Sequence, residues 1–166
     1  MSPRRLGLLA SLGTLAADQA NKLWLIFVFG IELHQPLRIT SFFDIVYAKN
    51  PGISYSLLPA RTGAQRLALL LFISASTAFL ALWLWRAGTR VAAFGLGLII
   101  GGALGNFYDR LAYGFVADFY HFHLGSFSWY VFNVADVAIV LGTGMLVYDA
   151  FVADKKPPGR QPAGRE

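Results

Sequence analysis

Four apolar runs divide the chain, separated by polar, turn-forming or proline-rich stretches. The first, at about 6–29, follows Arg4 and Arg5, and its opening half has the form of a signal peptide, with small residues at Ala16 and Ala17. Apolar character resumes from Leu23 to Phe29, so the run is long enough to span a bilayer, although Asp18, Gln19, Asn21 and Lys22 interrupt it. The second run, 67–85, is bracketed by Arg66 and Arg86 and holds no charge. The third, 91–107, is glycine-rich; Gly97, Gly101 and Gly105 fall four apart, line one helix face and let a neighbouring helix approach closely. The fourth, 131–152, is introduced by Trp129 and Tyr130, residue types that favour a membrane interface. A crossing takes ~20 apolar residues. The pattern therefore predicts an all-α polytopic membrane protein with four transmembrane helices and a single membrane domain over residues 1–154.

The connections carry their own signals. In the outer loop, 30–65, the stretch LRITSFFDIVYAKN is rich in β-branched and aromatic residues, and Asn50-Pro51-Gly52 supplies a turn. A small extracytoplasmic β element is expected there. Residues 155–166 are basic and proline-rich and read as a disordered cytoplasmic tail.

Composition supports a lipid environment. The 166 residues are 56% hydrophobic and 14% charged, with a mean hydropathy of +0.53; a soluble domain carries about 25% charged residues. The absence of cysteine excludes disulfides, thiolate metal sites and a cysteine nucleophile. The net charge of +5 fits cytoplasmic loops better than nucleic-acid binding, because the aromatics do not interleave with a basic patch. Alternating helices put Arg4, Arg5, Arg86, Arg90, Lys155, Lys156, Arg160 and Arg165 on one side, and Arg38, Lys49, Arg61, Arg66 and Arg110 on the other. That bias places both termini in the cytoplasm, and the segments 30–65 and 106–130 outside.

Against this background certain polar residues are costly. Asp18 and Lys22 share a helix face one turn apart. Asp18 lies about 18 Å along the helix from Leu6, where each ion costs roughly 3 kcal/mol even on lenient insertion scales. A neutralising pair facing the bundle lowers that cost; a purely structural ion pair is the plain reading, a functional site the sharper one. Asn106 and Arg110 are also one turn apart, with Asp109 beside them as an ordinary interfacial acid. Asn133 and Asp136 open the fourth run on one face. Capping is the alternative for Asp136, but Val134, Ala135 and Val137 place it inside the apolar run, past the usual cap position. Asp118 and Asp136 fall on the same side of the membrane at similar depth, and are expected to converge at its outer edge. Two carboxylates sharing a site hold one proton between them and can activate water while polarising a carbonyl. His121 and His123 could ligate a metal from a strand; with no third ligand at metal-site spacing, aromatic packing is expected instead, and no metal site is predicted.

These blocks together resemble lipoprotein signal peptidase, the type II signal peptidase of bacteria. They are DQANK at Asp18–Lys22, NPG at Asn50–Gly52, GGALGNFYDR at Gly101–Arg110, VADF at Val116–Phe119 and FNVAD at Phe132–Asp136. Five blocks in order on a four-helix pattern cover nearly the whole chain. The resemblance implies an aspartic endopeptidase of the bacterial cytoplasmic membrane, acting near its outer face without cofactor or metal. Its substrate would be a prolipoprotein, cut just before a cysteine carrying diacylglyceryl. Membrane lipid would be the other partner, with no nucleic acid, and the chain a monomer. By matching motifs Asp118 and Asp136 are the catalytic pair, supported by Asp18, Lys22, Asn50, Gly52, Asn106, Arg110 and Asn133. The chain departs from the family pattern at Pro51 and at Tyr55. Three other classes were weighed: an ion-coupled transporter, which predicts acids spread across the bilayer depth and internal repeats; a serine–lysine peptidase using Ser54 or Ser56 with Lys49 or Lys22; and an inactive structural subunit, which leaves the matched polar faces unexplained.

Overall fold

The computed structural model describes residues 1–52 and 62–154. Ser54, Tyr55, Ser56 and the tail 155–166 lie outside the described residues.

Helix α1, Pro3–Leu23, starts behind Ser2, whose hydroxyl accepts the Arg5 N–H, and continues as a π-helical turn over Trp24–Val28. Gly30 then takes a left-handed φ of 68°, which reverses the chain into the one-turn helix α2, Ile31–His34. Strands β1, Leu37–Thr40, and β2, Phe43–Asn50, follow. Helix α3, Gly63–Arg86, begins with a capping box in which Thr62 and Gln65 satisfy each other's backbone N–H. A short link leads to α4, Arg90–Tyr113, capped by Thr89. It ends where Gly114 adopts φ 80° and returns its N–H to Arg110 O. Strands β3, Val116–Leu124, and β4, Phe127–Ser128, precede α5, Val134–Asp154.

Helices α3, α4 and α5 are long and apolar enough to cross a membrane. Helix α4 is the central one, packed against α1, α5 and α3. Within the apolar window of α4, 56% of residues are buried, against 6% in α3, which turns nearly all its surface outward. The glycine stripe does what its spacing predicts. A methyl group at Gly97 would collide with Gly7 O and one at Gly101 with Ser11 O, so the backbones of α4 and α1 touch where only hydrogen fits, while at Gly105 the space is taken by the Asp18 carboxylate.

Two boundaries differ from expectation in ways that bear on the site. The third helix runs to Tyr113, not to about 107, so Asp109 and Arg110 are helical and turned by the bundle's periodicity. The left-handed Gly114 is the local stop signal. The fourth begins at Val134, with Asn133 as its capping residue.

The β structure is larger than the first loop alone. The four strands form one antiparallel sheet in the order β1-β2-β3-β4, so the segment after α4 pairs with the loop after α1. The β2–β3 ladder matches Asp44 with His121, Ile45 with Tyr120, Ala48 with Asp118 and Asn50 with Val116, with a shift between Ile45 and Ala48. One face seats Phe119 and Ala117 against Leu25 and Ile31, fixing the sheet on the end of α1.

Candidate active site

Alternation along β3 sends Val116, Asp118 and Tyr120 to one face and Ala117, Phe119, His121 and His123 to the other. Asp118, 2% exposed, thereby meets the ends of α4 and α5. Its Oδ1 accepts from Asn133 Nδ2 at 2.6 Å and its Oδ2 from Asn50 Nδ2 at 3.1 Å. Asn50 is at the last rung of β2, so strand pairing itself delivers the second donor.

Asp136 is the third residue of α5. Its backbone N–H donates to Asn133 Oδ1 at 3.0 Å, and its Oδ2 accepts the Asn133 N–H at 3.2 Å. This is a reciprocal cap. The expectation that Asp136 sits past the cap position is corrected: the helix starts later than the apolar run, and Asp136 both closes the cap and enters the site. Its Oδ1 accepts from Asn106 Nδ2 at 2.9 Å. Asn133, fully buried, spends its remaining amide hydrogen on Asn106 Oδ1 at 3.1 Å. One pair of asparagines thus holds both acids.

Behind them lies a buried ionic cluster. Lys22 Nζ is 2.7 Å from Asp18 Oδ2, 2.8 Å from Asp109 Oδ2 and 3.2 Å from Asn106 Oδ1. Asp18 Oδ1 accepts the Ala135 N–H at 3.0 Å, so an acid on α1 caps α5. Arg110 donates from Nη1 to Asn106 O at 3.1 Å and from Nη2 to Gly52 O, while Gly52 N–H donates to Asn50 Oδ1 at 3.1 Å. Arg110 Nε is buried and finds no acceptor among the described residues. All nine residues singled out in the sequence fall in this one network.

Two members were not foreseen. Asp109 is no interfacial acid: it is 1% exposed, pairs with Lys22 and accepts the Ala117 N–H at 3.2 Å. Gln19 donates to Asp18, Asp109 and Gly105 O. The signal for Asp109 was present in its spacing from Gly102, Gly105 and Asn106, which puts it on the inward stripe of α4.

Burial first, then the negative charge of Asp136, push the Asp118 carboxyl up to about 7; hydrogen bonds from Asn50 and Asn133, and the Lys22 charge, act in the other direction. Asp118 and Asp136 line one cavity of about 190 Å³ with Asn50, Asn106 and Arg110, walled by Leu69 and Phe72 of α3. A second, apolar groove of about 410 Å³ also reaches Asp136, lined by Phe122, Trp129, Phe132 and Val140 among others.

This helical bundle with its appended sheet is a fold that solved structures share. A bacterial membrane enzyme determined in meso at 2.3 Å superposes with a TM-score of 0.72 over 93% of this chain and 94% of that one, at 20% identity. Another, at 1.9 Å, gives 0.66 at 21% identity over 92% and 94%. The family described as Signal peptidase (SPase) II matches residues 10–152, and the chain belongs to it. It is similar to the lipoprotein signal peptidase of Methylocella silvestris, with 69% identity over 90% of this chain and 88% of the relative. To that of Beijerinckia indica it is 57% identical over 93% of each.

Proposed function

We propose that this chain is an aspartic endopeptidase that removes signal peptides from bacterial prolipoproteins, cutting just before a cysteine that carries diacylglyceryl. Family membership supports the peptidase and its prolipoprotein substrate. The observation that supports the aspartic mechanism is the joint suspension of Asp118 and Asp136 on Asn106 and Asn133 beside a single cavity.

In this reading the pair shares one proton, drawn on Asp118, whose carboxyl is pushed up to about 7, while Asp136 serves as the base. Asp136 takes a proton from water as the water oxygen bonds to the scissile carbonyl carbon. Asp118 gives its proton to the carbonyl oxygen. Collapse of the tetrahedral intermediate breaks the C–N bond: the departing amine takes the proton held by Asp136, and one hydroxyl proton of the intermediate returns to Asp118 as the new carbonyl forms. Arg110, which lines the cavity beside both acids, supplies fixed positive charge to the substrate backbone. The apolar groove beside Asp136 suits the acyl chains.

Helix α1 serves as the fourth crossing; its ions are neutralised within the bundle and not presented to lipid. Arg4 Nε bonds Trp85 O at 2.8 Å and Arg90 bonds Met1 O at 3.2 Å, so the basic ends of α1, α3 and α4 gather at one end. That end is the cytoplasmic one, and the acids lie toward the outer face. The chain works as a monomer in this reading. The serine–lysine alternative loses support because Lys22 is committed to two carboxylates and an amide, and Lys49 pairs with Glu32 at 3.2 Å.

The test is cleavage of a lipid-modified precursor peptide by purified protein. Asp118→Asn and Asp136→Asn should each lower kcat by about 10²–10⁴. Wild-type rates in either variant would refute the pair.

A further inference from the structure

The sheet brings together a second cluster of chemically capable side chains, on the face of β3 opposite to Asp118. Asp44 of β2 stands across from His121, and His123 follows two residues on. Each of the three places one donor atom within 4.8 Å of the other two. His123 Nε2 is 3.0 Å from Asp44 Oδ2, and the two imidazole centroids are 5.3 Å apart. We propose that Asp44, His121 and His123 form a binding site for a divalent transition ion, Zn2+ being the fitting species. The two imidazoles pack together as expected, and the third candidate ligand comes from a strand 77 positions upstream of His121, through pairing that no local spacing reveals.

Three observations carry the assignment. The ligand set, two imidazoles and one carboxylate, is a borderline-donor set that suits Zn2+ and its neighbours and disfavours Mg2+ or Ca2+. Asp44 is only 6% exposed, and its Oδ1 accepts no hydrogen bond among the described residues, being held only by a long ion pair to an exposed arginine. The spacing is close to what an ion imposes. Bonds of 2.0–2.2 Å in a tetrahedron set donors ~3.4 Å apart, so the widest gap needs to close by roughly 1.4 Å, within reach of an imidazole rotation. Ser128 Oγ lies 2.8 Å from His121 Nε2, a hydrogen bond that is given up if that nitrogen takes the ion. The present counter-charge is Arg38, whose Nε is 3.5 Å from Asp44 Oδ1 on a side chain 71% exposed; it is displaced to solvent when the ion enters. A bound ion would rivet β2 to β3, the two strands whose far ends hold Asn50 and Asp118.

The proposal does not depend on the peptidase reading, and its test reads metal, not cleavage. Tag-free full-length protein in detergent is stripped with chelator, equilibrated with Zn2+ and freed of excess. One equivalent should be retained. Asp44→Asn and His123→Ala should weaken binding by at least about tenfold, while His34→Ala should not, His34 being the third histidine of the chain and bonded to Gly30 O. A footprint on the wild-type chain guards against variants that misfold: Zn2+ should protect His121 and His123 from diethyl pyrocarbonate and leave His34 reactive, as read by mass spectrometry. No stoichiometric zinc in the wild type, retention undiminished in both variants, or protection that does not single out these two histidines would each overturn it.

Discussion

Asp18 Oδ1 accepts the backbone N–H of Ala135 at 3.0 Å, so the first helix caps the helix that carries Asp136. The same carboxylate neutralises Lys22 through its other oxygen, and this double duty accounts for an acid in the middle of α1. Asp18→Ala should therefore cost ~1–3 kcal/mol in thermal unfolding, and lower kcat through a loosened first turn of α5. Unchanged kcat beside a lowered Tm would separate the cap from catalysis.

Lys22 is the sole cation within salt-bridge distance of Asp18 and Asp109 among the described residues. Lys22→Met strands two buried carboxylates and should destabilise by ~3–5 kcal/mol. Asp109→Asn leaves Lys22 one acid and should cost less. In a double-mutant cycle the combined variant should recover ~1–3 kcal/mol relative to additivity. Additive losses in detergent unfolding would mean that the pair is not coupled.

The proton on Asp118 sets a pH dependence with a definite sign. Its folded-state value, about 7, lies above the ordinary 3.8, so the folded chain keeps a proton that the unfolded chain releases. This contribution to stability is fully present below pH 3.8 and is lost as pH rises through 7. If one shared proton is required, kcat/KM should fall on the alkaline side near pH 7. Asn50 stabilises the ionised form, so Asn50→Ala should move that alkaline limb upward; a limb that moves down contradicts the assignment.

The close contact of α4 and α1 predicts an asymmetry between glycines. A Cβ at Gly105 would meet Asp18 Oδ2 at 2.5 Å, whereas one at Gly13 has nothing among the described residues within 4 Å. Gly105→Ala should cost ~1–3 kcal/mol and depress activity. Gly13→Ala should be neutral or stabilise by up to ~1 kcal/mol. Equal melting temperatures for the two would show that α1 and α4 can part without loss.

Much of this was legible before any coordinates. The apolar runs locate the three long apolar helices, although α4 continues to Tyr113, past the end of its run near 107, and the one-turn spacings in Asp18–Lys22 and Asn106–Arg110 announce shared faces. What stayed hidden is non-local. Strand β3 reads as loop because its partner β2 lies two helices earlier. Asp109 looks superficial because its cation is on α1. The cap at Asn133 was masked by the continuing apolar run, since Phe132 bridges to Tyr120 of β3 and does not belong to the helix. His121 and His123 lacked a third ligand for the same reason.

The ladder that pairs β2 with β3 encloses α3 and α4 within a single long loop of chain. Closing such a loop comes late, after the intervening local structure has formed. Asp118 receives Asn50 only at that closure, and α5 receives Asp18 only when the last helix docks on the first. A nascent chain emerging into the membrane consequently holds both carboxylates without their full setting of amide donors until α5 has docked against α1 and α4.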